Sequence, residues 1–428
     1  MPPISLKRSI FKVRRPLCEV NEKAYDPEIL AIGPYHHGND KFKFMEQQKQ
    51  RYLQKLLERR NEGSVNNYMP TLRELQEQAR NCYAETIDPS QENFLVMMLI
   101  DGCFIVEFFR KCIKEELRDK DDPIMHGCGI RTSIGRDLLL LENQLPLSVL
   151  SKLYDLTKGP GEPDEFSDVA TKYFEFELGG PSRNRTIDES QVEHLLHLYH
   201  MWLTSGLPKT PSATELDCIP ELDCIPELGC IPELGCILAM YSATERDRIP
   251  SATELRESGV SFRALQGSER SDIKFENGTL KIPVLYVEDN TESQFRNLIA
   301  YEQHRQSEGI NYFTDYVAFM DCLINSSKDV KVLRREGIIK NYLGDDEVVA
   351  QMFNKIGDHV TINNFYYSEI FKKVNTYCAK PWNTWMAKLR RDYFHSPWAI
   401  FSVLAAIVLL FLTIAQTVVS IISYTKQS

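Results

Sequence analysis

From Ser396 to Thr425 the chain carries no charged residue, and Trp398 to Tyr424 is dominated by Leu, Ile, Val, Ala and Phe. A helix rising about 1.5 Å per residue needs about 20 residues to cross the hydrocarbon core of a bilayer, and this run exceeds that. Trp398 and Tyr424 fall where aromatic side chains sit at the two interfaces. Lys388, Arg390 and Arg391 precede the run, whereas only Lys426 follows it. The positive-inside rule then keeps everything N-terminal of the run in the cytosol. The expectation is a single-pass membrane protein with a C-terminal tail anchor over 395–425 and a tail of 426–428.

Within the anchor, Ser402, Ala406, Leu409, Thr413, Gln416, Ser420 and Ser423 follow one another in steps of four and three. They share one helical face, and small and polar residues on one face let membrane helices approach and bond. Homo- or hetero-oligomerisation through this face is one reading. The other is that the hydroxyl groups bond their own backbone.

The N-terminus, MPPISLKRSIFKVRRPL, is basic but has no apolar core of the secretory kind, so residues 1–11 read as a basic tail. The net charge of −10, from 50 basic and 60 acidic residues, argues against a general nucleic-acid binder. Apolar content of 43% allows a real core in a domain spanning 12–394.

That domain is interrupted. ELDCIPELDCIPELGCIPELGC, Glu215 to Cys236, holds four of the 11 cysteines at a spacing of six. PSATEL occurs before it, at Pro211–Leu216, and again after it, at Pro250–Leu255. Near-identical tandem copies inside a duplicated flank mark 211–249 as an inserted, disordered surface segment. The spacing is not that of a zinc site, and the repeated proline opposes helix and central strand alike. The other seven cysteines are scattered and odd in number, which suits reduced, mostly buried thiols.

Most of the domain reads as helix. Met45, Tyr52, Leu53, Leu56 and Leu57 mark one face of Lys43–Arg60. Phe94–Phe109 is apolar nearly all round, broken by Asp101, Gly102 and Glu107, and so predicts a buried core helix. Asp137–Pro146 reads as a helix that Pro146 stops, continued by Leu147–Leu156. After the insertion, Val260–Arg263, Asp272–Phe275 and Thr279–Val287 are strand-like, with a hairpin turn at Asn277-Gly278 and with Pro283 confining its strand to an edge or bulge. Thr291–Gln294 reads as a capping box. Further helices are expected around Tyr312–Asn325, Asp345–Ile356 and Phe365–Tyr377. The fold class is mainly α (α+β), with one small antiparallel sheet.

The most enzyme-like string is GPYHHG, Gly33–Gly38, where His36 and His37 could supply a ligand or a general base. No HExxH or paired carboxylate completes it nearby, and the same residues describe a turn. Asp101 and Glu107 could form a carboxylate pair; alternatively they bond within the core or meet Arg110 and Lys111. His194, His197 and His200 recur every three residues, with Glu193 four before His197; such spacing can hold a metal, but the steps drift around a helix and no separate fourth ligand is visible, so they read as a partly exposed amphipathic helix. Asn143 and Gln144 are placed to serve carbonyls left over at a helix end. No phosphate loop, Rossmann glycine pattern, nucleophile elbow or kinase set occurs, and no metal or cofactor is expected. Glycosylation sequons stand at Asn184, Asn277 and Asn325.

Several strings resemble one family in order and spacing: AYDPEILAIGPYHHG, FMEQQKQRYL, MMLIDGCFIVEFFR, DLLLLENQLPLSVL, PSATELRESGVSF, LKIPVLYVEDNTESQFRNLIAYEQ and the closing W-x-x-W with its apolar span. They are similar to the plant domain-of-unknown-function 247 family from about Lys12 to Tyr424, and the Cys-rich repeat departs from that pattern. The resemblance implies a land-plant protein, single-pass at its C-terminus, and carries over no catalytic residues. Association of grass members with self-incompatibility implies recognition. The function expected is a membrane-anchored, non-enzymatic recognition or signalling module with an unknown protein partner and no nucleic acid. The alternative is a membrane-tethered metal- or His-dependent hydrolase using GPYHHG.

Overall fold

A helix that is apolar on every side is stable only with protein all around it. The stretch Met97–Cys112 of the helix Gln91–Ile113 comes close to that condition, buried except at half-buried Ile100, and Ser90 accepts a hydrogen bond from Asn93 N as the N-cap. A computed structural model describes residues 8–87, 90–178, 187–206, 248–267, 272–305, 311–362, 365–382, 385, 389 and 397–427. The insertion of 211–249, apart from its last two positions, and Asn184 lie outside the described residues.

The helices before the insertion are α1 (Arg15–Val20), α2 (Lys43–Arg60), α3 (Met69–Asn81), α4 (Gln91–Ile113), α5 (Pro123–His126), α6 (Cys128–Asp137), α7 (Leu147–Thr157), α8 (Phe166–Glu177) and α9 (Leu195–Thr204). α2, α3, α7 and α8 pack around α4. Aromatic rings fill the space between them; Phe109 stacks on Tyr173 with centroids 4.1 Å apart, and Phe104 lies 5.0 Å from Tyr52. Such pairs contribute about 0.5–1.5 kcal/mol each beyond the area they bury.

After it come α10 (Ala252–Glu257), β1 (Ser261–Leu265), β2 (Lys274–Glu276), β3 (Thr279–Pro283), β4 (Leu285–Val287), α11 (Thr291–His304), α12 (Tyr312–Leu323), α13 (Ser327–Arg335), β5 (Ile339–Asn341), α14 (Asp346–Ile356), α15 (Ser368–Cys378) and α16 (Pro397–Gln427). The second PSATEL copy opens α10, where Ser251 and Glu254 form a capping box. One continuous apolar core joins the two groups of helices.

Several expectations are corrected in detail. Among the described residues there are two sheets where one antiparallel sheet was expected: β1 pairs parallel with β3, β2 pairs antiparallel with β3, and β4 pairs parallel with β5. The antiparallel part is the expected hairpin, with Asn277 and Gly278 both at positive φ. β3 is the middle strand of its sheet. Pro283 is tolerated because β2 pairs only as far as Lys281, leaving the proline beyond that ladder at the strand's end. The capping box at Thr291–Gln294 does not form. Asn290 is the N-cap, and Thr291 Oγ1 accepts from Glu288 N instead. The true second box joins Ser326 and Asp329. Of the expected helix Asp137–Pro146 only Asp137 is helical, as the last residue of α6, and turns lead from there to Pro146. Side chains of that segment bond backbone, which competes with helix formation.

α16 stands apart from the core. Its stretch Leu404–Ile422 is long and apolar enough to cross a membrane, and none of it is buried against the rest of the chain. Ser402, Ala406, Leu409, Thr413, Gln416 and Ser420 are all exposed on it. Thr413 donates to Leu409 O at 2.8 Å, the backbone-bonding alternative for that residue. Cys18, Cys82, Cys103, Cys112, Cys322 and Cys378 are free thiols. Cys103 and Cys112 are buried, while Cys18, Cys82, Cys322 and Cys378 are only half-buried, so the thiols are less enclosed than expected.

Candidate functional site

Residues 28–33 cross the interior without helix or strand, so their N–H groups need partners from elsewhere. Asp137 accepts from the N–H groups of Glu28, Ile29 and Leu30 at 2.8–2.9 Å. Asn143 accepts from Ile32 N at 2.7 Å, and Asp101 accepts from Gly33 N at 2.9 Å. Asn143 also donates to Leu30 O and Asp137 O, while Gln144 donates to Leu138 O and Leu140 O. The expected carbonyl-serving role of this Asn and Gln is therefore met, at a turn rather than a long helix. Asn297 of α11 accepts from Leu141 N and donates to Ala24 O, tying in the C-terminal helices.

Asp101 is thus a positioning group for the GPYHHG turn. Its other oxygen bonds the Lys49 ammonium, which also donates to Ala31 O and pairs with Glu46. Lys49 and Asp101 are 1% and 2% exposed. Burial pulls the Lys49 ammonium down, but Asp101 and Glu46 outweigh it and leave its pKa raised. Gly33 is at φ +71, and a Cβ there would lie 2.5 Å from Gln144 O, so only glycine fits.

The turn places Tyr35 edge-on to Tyr83 at 5.6 Å, with Tyr35 OH donating to Ile10 O. His36 is half-buried, and burial lowers its pKa, with Asp26 opposing and Lys12 and Lys41 assisting. Its Nε2 makes no hydrogen bond among the described residues. His37 is exposed. Among the described residues neither imidazole makes an ion pair or hydrogen bond with a carboxylate; Asp26 acts on His36 only through its field, and Asp101 bonds Lys49 and Gly33.

Glu107 belongs to a separate cluster. Six residues along a helix are about 9 Å of rise and about 120° of rotation, so Asp101 and Glu107 do not form a pair. Arg59 grips Glu107 with both nitrogens at 2.6 and 2.7 Å, and Arg110 donates to it at 2.7 Å, the partner anticipated from sequence. Lys111 turns instead to Asp119 and Asp122. Tyr52 OH also donates to Asp122.

A second assembly was not foreseen. His194, His197 and His200 are 0%, 2% and 8% exposed, so their helix is buried rather than partly exposed. His200 Nε2 lies 2.7 Å from Glu302 Oε1. The same carboxylate accepts from Phe313 N, Thr314 N and Thr314 Oγ1, capping α12 from α11. Asp315 accepts from Tyr366 N at 2.8 Å, and burial raises its pKa to about 7. Burial lowers that of His194 to about 3. No three His, Cys, Asp or Glu side chains gather as a metal site among the described residues. The histidine spacing was visible in the sequence; the carboxylate that answers it lies 102 residues away.

Fold and site together define a mainly helical domain, wired internally by buried polar groups and carrying one apolar C-terminal helix long enough to span a bilayer. The chain belongs to the DUF247 family, described as plant protein of unknown function, whose pattern it matches over residues 10–412. It is 31% identical over 422 residues to UPF0481 protein At3g47200 of Arabidopsis thaliana, covering 97% of this chain and 86% of the relative. It is 24% identical over 477 residues to putative UPF0481 protein At3g02645 of the same plant, covering 95% and 89%. No solved structure matches it.

Proposed function

We propose that this chain is a tail-anchored membrane protein whose helical domain faces the cytosol and acts by recognising another protein, without catalysis. The observation that carries the reading is α16: Leu404–Ile422 is apolar, uncharged and unburied, an arrangement that water disfavours and a bilayer does not. Lys388, Arg390 and Arg391 before the span, against Lys426 after it, give the orientation. The non-enzymatic part of the reading is supported by how the buried charged groups are used. Asp101, Glu107, Asp137 and Glu302 each hold backbone or a cation in place. The face of Ser402, Ala406, Thr413, Gln416 and Ser420 offers a route to self-association or to a second membrane helix.

The test is protease protection of the full chain in microsomes, with endoglycosidase treatment to reveal sugar at Asn184, Asn277 or Asn325. A digested, unglycosylated domain is expected. A protected, glycosylated one would reverse the orientation and make the domain a lumenal or cell-surface receptor.

A further inference from the structure

Just before the span, three large apolar side chains point away from the protein. Trp382, Trp385 and Leu389 are helical and 69%, 72% and 41% exposed. In sequence they follow one another at steps of three and four, the spacing of residues that share one side of a helix. Two indoles held in water next to each other are an unusual surface for a soluble domain, and at a membrane boundary they are an ordinary one. Between positions 380 and 392 the charged residues of the sequence are mostly basic, with Lys380, Lys388, Arg390 and Arg391 against Asp392 alone.

The position is also constrained from both ends. α15 ends at Cys378, and Pro381 is already helical, so only Ala379 and Lys380 intervene. α15 is fixed to the domain by buried Phe371 and Val374, and it packs on β2, where Tyr377 meets Phe275 edge-on at 5.7 Å. On the other side α16 starts at Pro397, and its apolar stretch starts at Leu404. The tryptophan face is therefore joined almost directly to the folded domain while lying within a short reach of the bilayer that α16 would enter.

We infer that the Trp382, Trp385 and Leu389 face lies in the headgroup region of an anionic leaflet and holds the helical domain in a set orientation on the membrane surface. The inference rests on the reading of α16 as an anchor. Amphipathic indoles prefer the interfacial layer to both water and hydrocarbon, and the flanking cations complement acidic headgroups. The two-residue connection to α15 makes the orientation of this face the orientation of the domain. β2 and α15 then form the part of the domain nearest the lipid, which limits which faces remain open to a protein partner.

The chain has four tryptophans, Trp202, Trp382, Trp385 and Trp398, so each position can be isolated by fluorescence. The full-length protein is placed in nanodiscs of phosphatidylcholine with phosphatidylserine, using acyl chains brominated either near the headgroup or near the terminal methyl. The double variant Trp202→Phe/Trp398→Phe reports on the proposed face. The triple variant Trp202→Phe/Trp382→Phe/Trp385→Phe reports on the start of the anchor through Trp398. The expected result is a blue-shifted Trp382 and Trp385 emission that shallow bromines quench more than deep ones, weakening when phosphatidylserine is left out. Quenching of Trp398 with no quenching of the Trp382 and Trp385 pair, and with that pair open to aqueous iodide, overturns the inference and leaves the anchor standing. No quenching in either variant overturns both.

Discussion

Around α4 the deeply buried charges face one another; around α9, α11 and α12 a buried imidazole and a buried carboxyl are met mainly by backbone and neutral rings. Lys49 has Asp101 and Glu46, Arg59 and Arg110 share Glu107, and Lys111 has Asp122. His194 Nδ1 accepts from His197 N, with Tyr301 edge-on at 5.4 Å, and Asp315 accepts from Tyr366 N. Burial acts on both regions, and the partners decide the outcome. Beside α4 opposite charge overcomes desolvation: the Lys49 pKa is raised and that of Asp122 is lowered. In the second region desolvation dominates, raising Asp315 and lowering His194. The first arrangement favours the charged forms of its groups, whereas the second favours the neutral forms of Asp315 and His194, and the Asp315 shift reaches into the neutral pH range.

The largest effect is expected from breaking the first arrangement. Lys49→Met leaves Asp101 buried without its cation and should cost about 3–5 kcal/mol in denaturant unfolding. Adding Asp101→Asn keeps an acceptor for Gly33 N and should recover much of that loss. A double variant no better than Lys49→Met would mean that Lys49 acts by packing, and the contrast between the regions would fail.

Asp315→Asn addresses the second region. Its folded pKa of about 7 lies above the 3.8 ordinary for an aspartate, so protonation stabilises the fold. That contribution is fully present below about pH 4 and is lost as pH rises through about 7. His194 has the opposite sign: its contribution is present above about pH 6.5 and is lost as pH falls toward about 3. Asparagine retains an acceptor for Tyr366 N and cannot ionise. The variant should match the parent in acid and exceed it above neutrality, by at most about 4 kcal/mol. Melting temperature against pH measures this, and a gain independent of pH would show that ionisation is not the cause.

Gly33→Ala asks how rigidly Asp101 and Gln144 hold the GPYHHG turn. The positive φ and the Gln144 O contact predict a loss of about 1–3 kcal/mol. A smaller loss would mean that the turn can shift without disturbing the Lys49 pair. The smallest effect is expected on α16, where Gln416 is an exposed polar group in the apolar stretch Leu404–Ile422. Gln416→Leu should weaken self-association in detergent or bilayer by about three- to twenty-fold. Unchanged oligomer size would leave the small-residue face of α16 without a role in pairing.

Lys49 shows how far the sequence could be read. It sits four residues after Met45 and three before Tyr52, on the very face assigned to the core, so a buried cation was visible there in principle. Its partner was not, because Asp101 is 52 residues away on another helix. The helix expected at Asp137–Pro146 failed for a related reason. The leucine run suits a helix, but Asp137, Asn143 and Gln144 find better bonds to backbone brought in from 28–32 and 196. The histidine helix was placed correctly and its exposure was misjudged, since Glu302 and Tyr301 cover it from a distant segment.

What the sequence by itself determined is what local pattern controls. The uncharged apolar run makes α16, the apolar helix makes α4, the amphipathic spacing makes α2 with its stated ends, and Asn277-Gly278 makes the hairpin. Each depends on residues a few positions apart, where periodicity and backbone preference act directly. The tertiary structure decided which buried charge meets which, that β1 joins β3 in parallel, and that Gly33 N ends on Asp101. Leu141 N reaches Asn297 across 156 residues, and no local preference selects such a partner. Those choices follow from the need to satisfy every buried polar group within one closed core, a condition that exists only once the chain has folded.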